Sequence, residues 1–292
     1  MCGSCPETCV TELIDGLHAH ALYREGCMPG PASRTLAWLE RVRAEVAGLP
    51  VTGWEASCRL SPRGMEPYRI GTGLSPSALP LPLMDWLRPL ALPEAVAARV
   101  RRSAAFINHV YLAVEEGPVG VVLKLYLEFP VPQSGLLMVG LKWLPEHPEV
   151  PVRVTRYTRR AGHTRTQVLA HLGGAVDDAA QVFTPRALAA WAVELVNQRL
   201  DLDRQMLPWI EVREDGQSQR EADDLNFYGT GLPIAALAPG LERLGAAWGL
   251  ATGPLQEWLA VMQAVAVGHL SVGVREGREA FLTVYHPVAG RT

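Results

Sequence analysis

No stretch of the 292 residues approaches the roughly 18 consecutive apolar positions of a membrane-spanning helix. Charge of one sign is not in excess either. The 27 Lys and Arg face 30 Asp and Glu, and a formal net charge of −3 gives no electrostatic case for nucleic acid or an anionic membrane as partner. The first residues have neither the basic start nor the apolar core of a secretory signal, so the expected location is the cytoplasm. Cysteine is scarce, with five residues: Cys2, Cys5, Cys9, Cys27 and Cys58. An odd number in a reducing compartment excludes a disulfide framework. Cys2 and Cys5 have zinc-like spacing, but no second pair and no His pair follows, so a frayed, reduced lead segment is expected over residues 1–33. Hydrophobic residues at 48% and charged residues at 20% are enough for one sizeable core, expected over residues 34–292.

What is present is a hairpin written twice. His109-Val110-Tyr111-Leu112-Ala113-Val114-Glu115-Glu116-Gly117 recurs as His269-Leu270-Ser271-Val272-Gly273-Val274-Arg275-Glu276-Gly277. Each copy turns at Glu-Gly and returns along a strand ending in Tyr: Val121 to Tyr126, and Phe281 to Tyr285. Strict alternation gives each strand one aliphatic face and one polar, aromatic or small face. Three more hairpins have the same period: Gly53 to Leu60 with Pro67 to Gly71, Leu137 to Trp143 with Val152 to Tyr157, and Trp209 to Arg213 with Asp224 to Tyr228. Between them the period becomes helical over Leu36–Val46, Leu83–Val100, Pro185–Leu200, Ile234–Trp248 and Leu255–Val267. Thr184 is the expected N-cap of the third, with Pro185 at its first position. Five hairpins make ten antiparallel strands. If their aliphatic faces pack outward on the helices, the sheet closes into a barrel wide enough to hold a ligand, an α+β fold.

Parity lists the residues facing the lumen. The first hairpin supplies Glu55, Ser57, Arg59 and Arg69, and the second His109, Tyr111, Lys124 and Tyr126. The third gives Met138, Gly140, Lys142, Arg153, Thr155 and Tyr157. The fourth gives Trp209, Glu211, Asp224, Asn226 and Tyr228, and the fifth His269, Ser271, Thr283 and Tyr285. Four tyrosines, Tyr126, Tyr157, Tyr228 and Tyr285, fall at equivalent ends of returning strands. Arg59, Arg69, Lys124 and Lys142 share the enclosure with one carboxylate, Glu55. Buried cations need anionic partners, and one carboxylate cannot serve four of them, so an anionic ligand such as diphosphate is expected. Tyrosine faces stabilise a cation. Together these groups describe a site for ionising an allylic diphosphate: cations hold the leaving group, tyrosines shield the carbocation, and Glu55 takes a proton from the nucleophile.

With these residues the chain resembles the aromatic prenyltransferases of the αββα, or PT-barrel, family, in which five αββα repeats form a ten-stranded antiparallel barrel inside a ring of helices. The segment Asp224-Leu225-Asn226-Phe227-Tyr228 is most similar to the cyanobactin-type enzymes that prenylate ribosomal peptides, and the likeness spans roughly residues 34 to 287. The resemblance implies that Glu55 is the base toward the acceptor. It further implies that Arg69, Lys124 and Lys142 bind diphosphate and that Tyr126, Tyr157, Tyr228 and Tyr285 form the shield. The peptide-modifying branch implies Mg²⁺ bound through the diphosphate, with Asp224 as a contributing ligand. The chain departs from the family at its Cys-containing start and at Gly71, where other returning strands carry Tyr, which widens one side of the lumen.

The expected activity is transfer of a dimethylallyl or geranyl group to a side chain of a peptide by a monomeric enzyme. Two other readings stand beside it: the same chemistry on a small phenol or indole, and a non-catalytic barrel that binds a hydrophobic or anionic ligand.

Overall fold

The computed structural model describes residues 33–117, 119–130, 135–160, 163–202, 207–215 and 220–288, side chains of 67, 68 and 276 excepted. Cys2, Cys5, Cys9 and Cys27 lie outside them. After α1 (Ser33–Val46) come β1 (Val51–Ser61) and β2 (Gly64–Leu74), then α2 (Leu83–Trp86) and α3 (Glu94–Ser103). The second hairpin is β3 (His109–Gly117) with β4 (Gly120–Glu128), and the third β5 (Leu136–Trp143) with β6 (Arg153–Arg159). α4 (Arg165–Leu172) and α5 (Pro185–Asn197) precede β7 (Trp209–Glu214) and β8 (Glu221–Asn226). α6 (Ile234–Ala247) and α7 (Thr252–Met262) lead into β9 (His269–Arg275) and β10 (Glu279–Val288).

Every strand pairs antiparallel with its chain neighbours, and β1 pairs with β10, so the ten strands close into a barrel. Closure follows from the two-faced strands. Val110, Leu112, Val114, Leu123 and Leu125 are buried in one apolar layer with Val42, Trp86, Val96 and Val100 of the helices. Leu270, Val272, Leu282 and Val284 enter a second layer with Leu188, Trp191, Leu241 and Trp258. Each such side chain contributes about 1.5–3 kcal/mol when fully buried. Cys58 is buried in the second layer, and burial pushes its thiol up to about 12, an inert structural cysteine.

The helices show two differences from expectation. The periodic stretch Leu83–Val100 is not one helix, because Pro89 and Pro93 interrupt it between α2 and α3. α4 is an additional helix whose start is signalled by a capping box: the Gln167 amide donates to Thr164 Oγ1, and Thr164 N–H donates to Gln167 Oε1. The Thr184 cap with Pro185 forms as read.

One close strand approach carries a stability prediction. A methyl group at Gly273 would overlap the Glu221 carbonyl oxygen and lie 2.6 Å from Ala222 Cα. Both obstacles are backbone and cannot swing aside. Gly273→Ala is therefore expected to lower the unfolding free energy by about 1–3 kcal/mol or more, the range for overpacking. Urea denaturation checks this, and an unmoved midpoint contradicts the tight β8–β9 crossing.

Candidate functional site

The barrel encloses a cavity of about 530 Å³ whose lining runs from Arg69 and Lys124 at one end to Thr52, Glu128, Tyr228 and Pro287 at the other. Its contents change along the barrel axis in three zones.

The closed end is ionic. Arg69 Nε donates to Glu115 at 2.8 Å, Arg59 Nη1 donates to the same carboxylate at 3.4 Å, and Lys124 donates to it as well. Arg59 also bonds Glu66 at 2.8 Å, and Lys142 lies 3.6 Å from Glu214. Arg275 holds Glu66 and Glu279, and Arg63 holds Glu279. Arg220 is buried beside them, its guanidinium 5.3 Å from the Phe281 ring, with Arg59 at 5.7 Å from that ring. Burial opposes charge on Glu115, yet Arg69, Lys124 and Arg59 hold it well below the usual carboxylate range. Burial and repulsion from Arg69 bring Lys124 down, against the attraction of Glu115. Burial likewise lowers Lys142. Four buried atoms here that can donate have no hydrogen-bond partner, Arg59 Nε, Arg220 Nε, Thr155 Oγ1 and Ser271 Oγ, beside one acceptor oxygen of Glu279 in the same state. Buried donors are normally satisfied, so this set is suited to an anion.

This corrects the premise that Glu55 alone faces the cations. Glu115, Glu66 and Glu214 are their carboxylates, and Glu55 is at the opposite end. Glu115 has the same parity as His109, Tyr111 and Ala113, but adjacency to Gly117 gave it the look of a turn residue. Arg220 precedes β8 and offered no periodic signal.

Aromatic faces occupy the middle. Tyr126 and Tyr157 meet edge to face at 5.7 Å, and Tyr285 lies 5.7 Å from the Arg69 guanidinium. Gly140 makes room for the first two, since a Cβ there would sit 3.0 Å from the Tyr126 ring and 3.2 Å from Tyr157. Val212, Ala222 and Phe281 complete the wall. Thr283 is buried, its hydroxyl 3.3 Å from Arg69 Nη1. Tyr228 is not at this level. It follows β8, is 46% exposed, and stands at the mouth.

The mouth holds a chain of acids and bases. Tyr228 Oη donates to Glu55 Oε2 at 2.5 Å, His269 Nε2 lies 3.1 Å from that oxygen, and His269 Nδ1 lies 2.7 Å from Asp224 Oδ1. Burial would raise the Glu55 carboxyl, but His269, through charge and hydrogen bond, and Tyr228 hold it below its ordinary value. Asn226 accepts the Tyr228 amide at 2.9 Å and so fixes that turn. On the far side Tyr111 donates to Glu128 at 2.7 Å, and His109 lies 3.3 Å from Thr52 Oγ1. Gly71, opposite Glu55 in β2, lines the cavity, and a Cβ there would sit 3.0 Å from both the Leu112 carbonyl oxygen and Ala113 Cβ.

The fourth hairpin is turned relative to expectation. Ile210 lines the cavity, Val212 joins the aromatic wall and Glu214 faces Lys142, so these three point inward. Trp209 instead packs into the outer core, with Nε1 donating to Asp223 at 3.0 Å, and Glu211 pairs outside with Arg160 and Arg213. Asp224 and Asn226 do face the lumen.

The residues present do not fit a resident Mg²⁺. Asp224 is engaged by His269, the closed-end carboxylates are each taken by Arg or Lys, and a divalent cation among those groups would be repelled. Among the described residues no group of three His, Cys, Asp or Glu side chains is placed to hold a metal ion, and no helix is long and apolar enough to cross a membrane.

No protein-family model matches the sequence, and no curated protein is similar to it. Among solved structures the chain is similar to AnaPT from Neosartorya fischeri, at 12% identity over 82% of this chain and 78% of that one, with a TM-score of 0.47. It is also similar to the NotF prenyltransferase at 12% identity over 80% of each chain, TM-score 0.46. For NotF in complex with brevianamide F and DMSPP the values are 11%, 80% of this chain, 79% of that chain and 0.44.

Proposed function

We propose that the chain is a prenyltransferase, moving a dimethylallyl or geranyl group from an allylic diphosphate to a small phenolic or indolic acceptor. The observation that carries this is the order along the axis: cations at the closed end, tyrosine faces in the middle, an ionised carboxylate at the mouth. Arg69 and Lys124, which line the cavity, would hold the diphosphate, and Arg59 and Arg220, buried behind that lining, would add charge. Lys142 would add charge from the next layer. The allylic C–O bond breaks, diphosphate leaves with the electron pair, and the cation is stabilised by the faces of Tyr126, Tyr157 and Tyr285. An acceptor entering at the mouth attacks the cation, and Glu55 takes the proton that the acceptor then loses.

The enclosed volume supports the choice of acceptor. About 530 Å³ lies within the range of pockets for small ligands, roughly 300–1,000 Å³. A barrel that only binds ligands would have little use for the ordered, ionised Glu55 at its entrance.

Incubation with dimethylallyl and geranyl diphosphate against phenols, indoles and peptides, read by mass spectrometry, tests the reading. Prenylated small aromatics are expected. Products from peptides alone would overturn the acceptor class, and no product from any acceptor would overturn the enzyme. Since the cation cluster does the work a metal would do, chelation with EDTA should leave transfer largely intact.

Donor binding has its own test. Arg69→Ala and Lys124→Ala each remove a charge-assisted contact worth about 1.5–3 kcal/mol, so each should weaken inorganic diphosphate binding roughly tenfold or more. Calorimetric titration measures this. Unchanged affinity in both variants would put the diphosphate elsewhere.

A further inference from the structure

Within that reading, we propose that His269, doubly protonated between Asp224 and Glu55, is a positioning residue that, together with the Tyr228 hydroxyl, clamps Glu55 by Oε2 and presents Oε1 to the acceptor.

The argument begins with donors and acceptors. His269 has a carboxylate oxygen on each ring nitrogen, Asp224 Oδ1 at 2.7 Å from Nδ1 and Glu55 Oε2 at 3.1 Å from Nε2. A neutral imidazole has a single N–H, so one of these contacts would set a nitrogen lone pair against carboxylate oxygen. Both become hydrogen bonds only in the imidazolium. The ring stacks on Tyr285 at 3.8 Å and 10°, a face that favours a cation. Burial works against charge on His269, but attraction to Asp224 and Glu55 holds it protonated well above the ordinary histidine range.

The consequence falls on Glu55. Both its partners, His269 and Tyr228, bind Oε2. Oε1 accepts no hydrogen bond among the described residues, and Glu55 lines the cavity. The carboxylate is thus clamped through one oxygen and offers the other. A proton taken at Oε1 leaves Glu55 neutral. Once the product has left, Oε1–H returns its proton to water entering the cavity, which restores the carboxylate, while the Tyr228 hydroxyl keeps its own proton on Oε2. The imidazolium keeps both its protons throughout.

The groups facing this pair come from each packed element. They are Asp224 on β8, Glu55 on β1, Tyr285 and His286 on β10, Tyr111 on β3 and Tyr228 in the turn after β8. His286 adds a smaller attraction for Glu55. Removing the imidazolium should therefore raise the Glu55 carboxyl, since Asp224 would become its unscreened neighbour.

Two measurements decide the matter. Nitrogen-15 NMR of the imidazoles in the wild-type protein should find both His269 ring nitrogens protonated at neutral pH. His269→Phe keeps a stacking ring and loses both N–H groups. In that variant the acid limb of kcat/KM for prenyl transfer should move upward, costing on the order of tenfold at mildly acidic pH for each unit of displacement, with recovery as pH rises. Inorganic diphosphate binding reports that the variant barrel is intact. A singly protonated His269 at neutral pH, or an acid limb unmoved in His269→Phe, overturns the proposal. The NMR result requires no variant to fold and no turnover. An imidazolium in a protein that prenylates nothing therefore overturns the enzymatic reading, whereas a singly protonated ring in an active enzyme overturns this proposal alone.

Discussion

Replacing Glu55 by Gln is expected to cut prenyl transfer about 10²–10⁴-fold, the usual range for loss of a general base, while inorganic diphosphate still binds. The shape of the side chain is preserved and only its basicity is lost. Distance separates the two effects. On β1 Glu55 is two residues from Ser57, the partner of Arg69, and four from Arg59, about 7 and 13 Å at the rise of a strand, and its hydrogen bonds go to His269 and Tyr228 instead. Its lowered pKa also defines when it can act. A carboxylate that weakly basic cannot deprotonate a resting phenol or indole. It can take the proton once the acceptor has attacked the allylic cation and become strongly acidic, or while that charge is developing. Ionisation of the donor needs only the cations and tyrosines, so slow capture of the prenyl cation by water should persist in the variant. Steady-state turnover with product and prenyl alcohol measured separately checks both halves. Full transfer by Glu55→Gln would remove the base assignment and make Asp224 and Glu128, the remaining carboxylates along the cavity wall, the next to test.

How much of this was legible in the sequence depended on whether a strand's two faces differed in kind. In β3, β4, β9 and β10 one face is aliphatic and the other polar or aromatic, so parity places Lys124, Tyr126, Thr283 and Tyr285 inward; Lys124, Tyr126 and Tyr285 line the cavity, and Thr283 is buried against Arg69. β7 has no such contrast: Ile210 and Val212 alternate with Trp209 and Glu211. Treating the polar set as inward failed because the lumen is apolar at that level, where Val212 packs with Tyr157 and Phe281. The register decides the face instead. Ile210 pairs with Asp224, and inward Asp224 requires inward Ile210. That register depends on β8 starting at Glu221, which the sequence pattern set at Asp224. Tyr228 was misplaced by the same shift, since the strand ends at Asn226 and the tyrosine turns out to the mouth. The Glu55–His269–Asp224 contact is beyond any local pattern. It joins β1, β9 and β8, and only closure of the barrel brings the first strand to the last two.

Glu115→Ala should destabilise the fold by about 3–5 kcal/mol, the cost of breaking a buried ion pair from one side, and inorganic diphosphate should restore much of that loss. In the wild type Glu115 is the anion on which Arg69, Lys124 and Arg59 converge. Without it Arg69 and Lys124 lose their carboxylate, and of the three buried cations only Arg59 keeps one, in Glu66. A diphosphate supplies that charge, and a ligand at a hundredfold excess over its Kd stabilises the native state by about 2.7 kcal/mol. Stabilisation at a given diphosphate concentration should be larger in the variant than in the wild type, because Glu115 competes with the ligand for the same donors. Glu115→Gln, with the original shape and no charge, should behave alike, which separates charge from cavity formation. The pH dependence has a definite sign. The native-state pKa of Glu115 is depressed by Arg69, Lys124 and Arg59, so its contribution is full above the ordinary carboxylate pKa and disappears as pH falls through the depressed value. Wild type and Glu115→Gln should therefore converge in stability in acid and separate toward neutrality. Thermal denaturation across pH, with and without diphosphate, measures all of these effects. Equal stability at neutral pH would mean that the cations are not held together by Glu115. A smaller response to diphosphate in the variants would mean that the carboxylate helps to build the anion site and does not compete with its ligand.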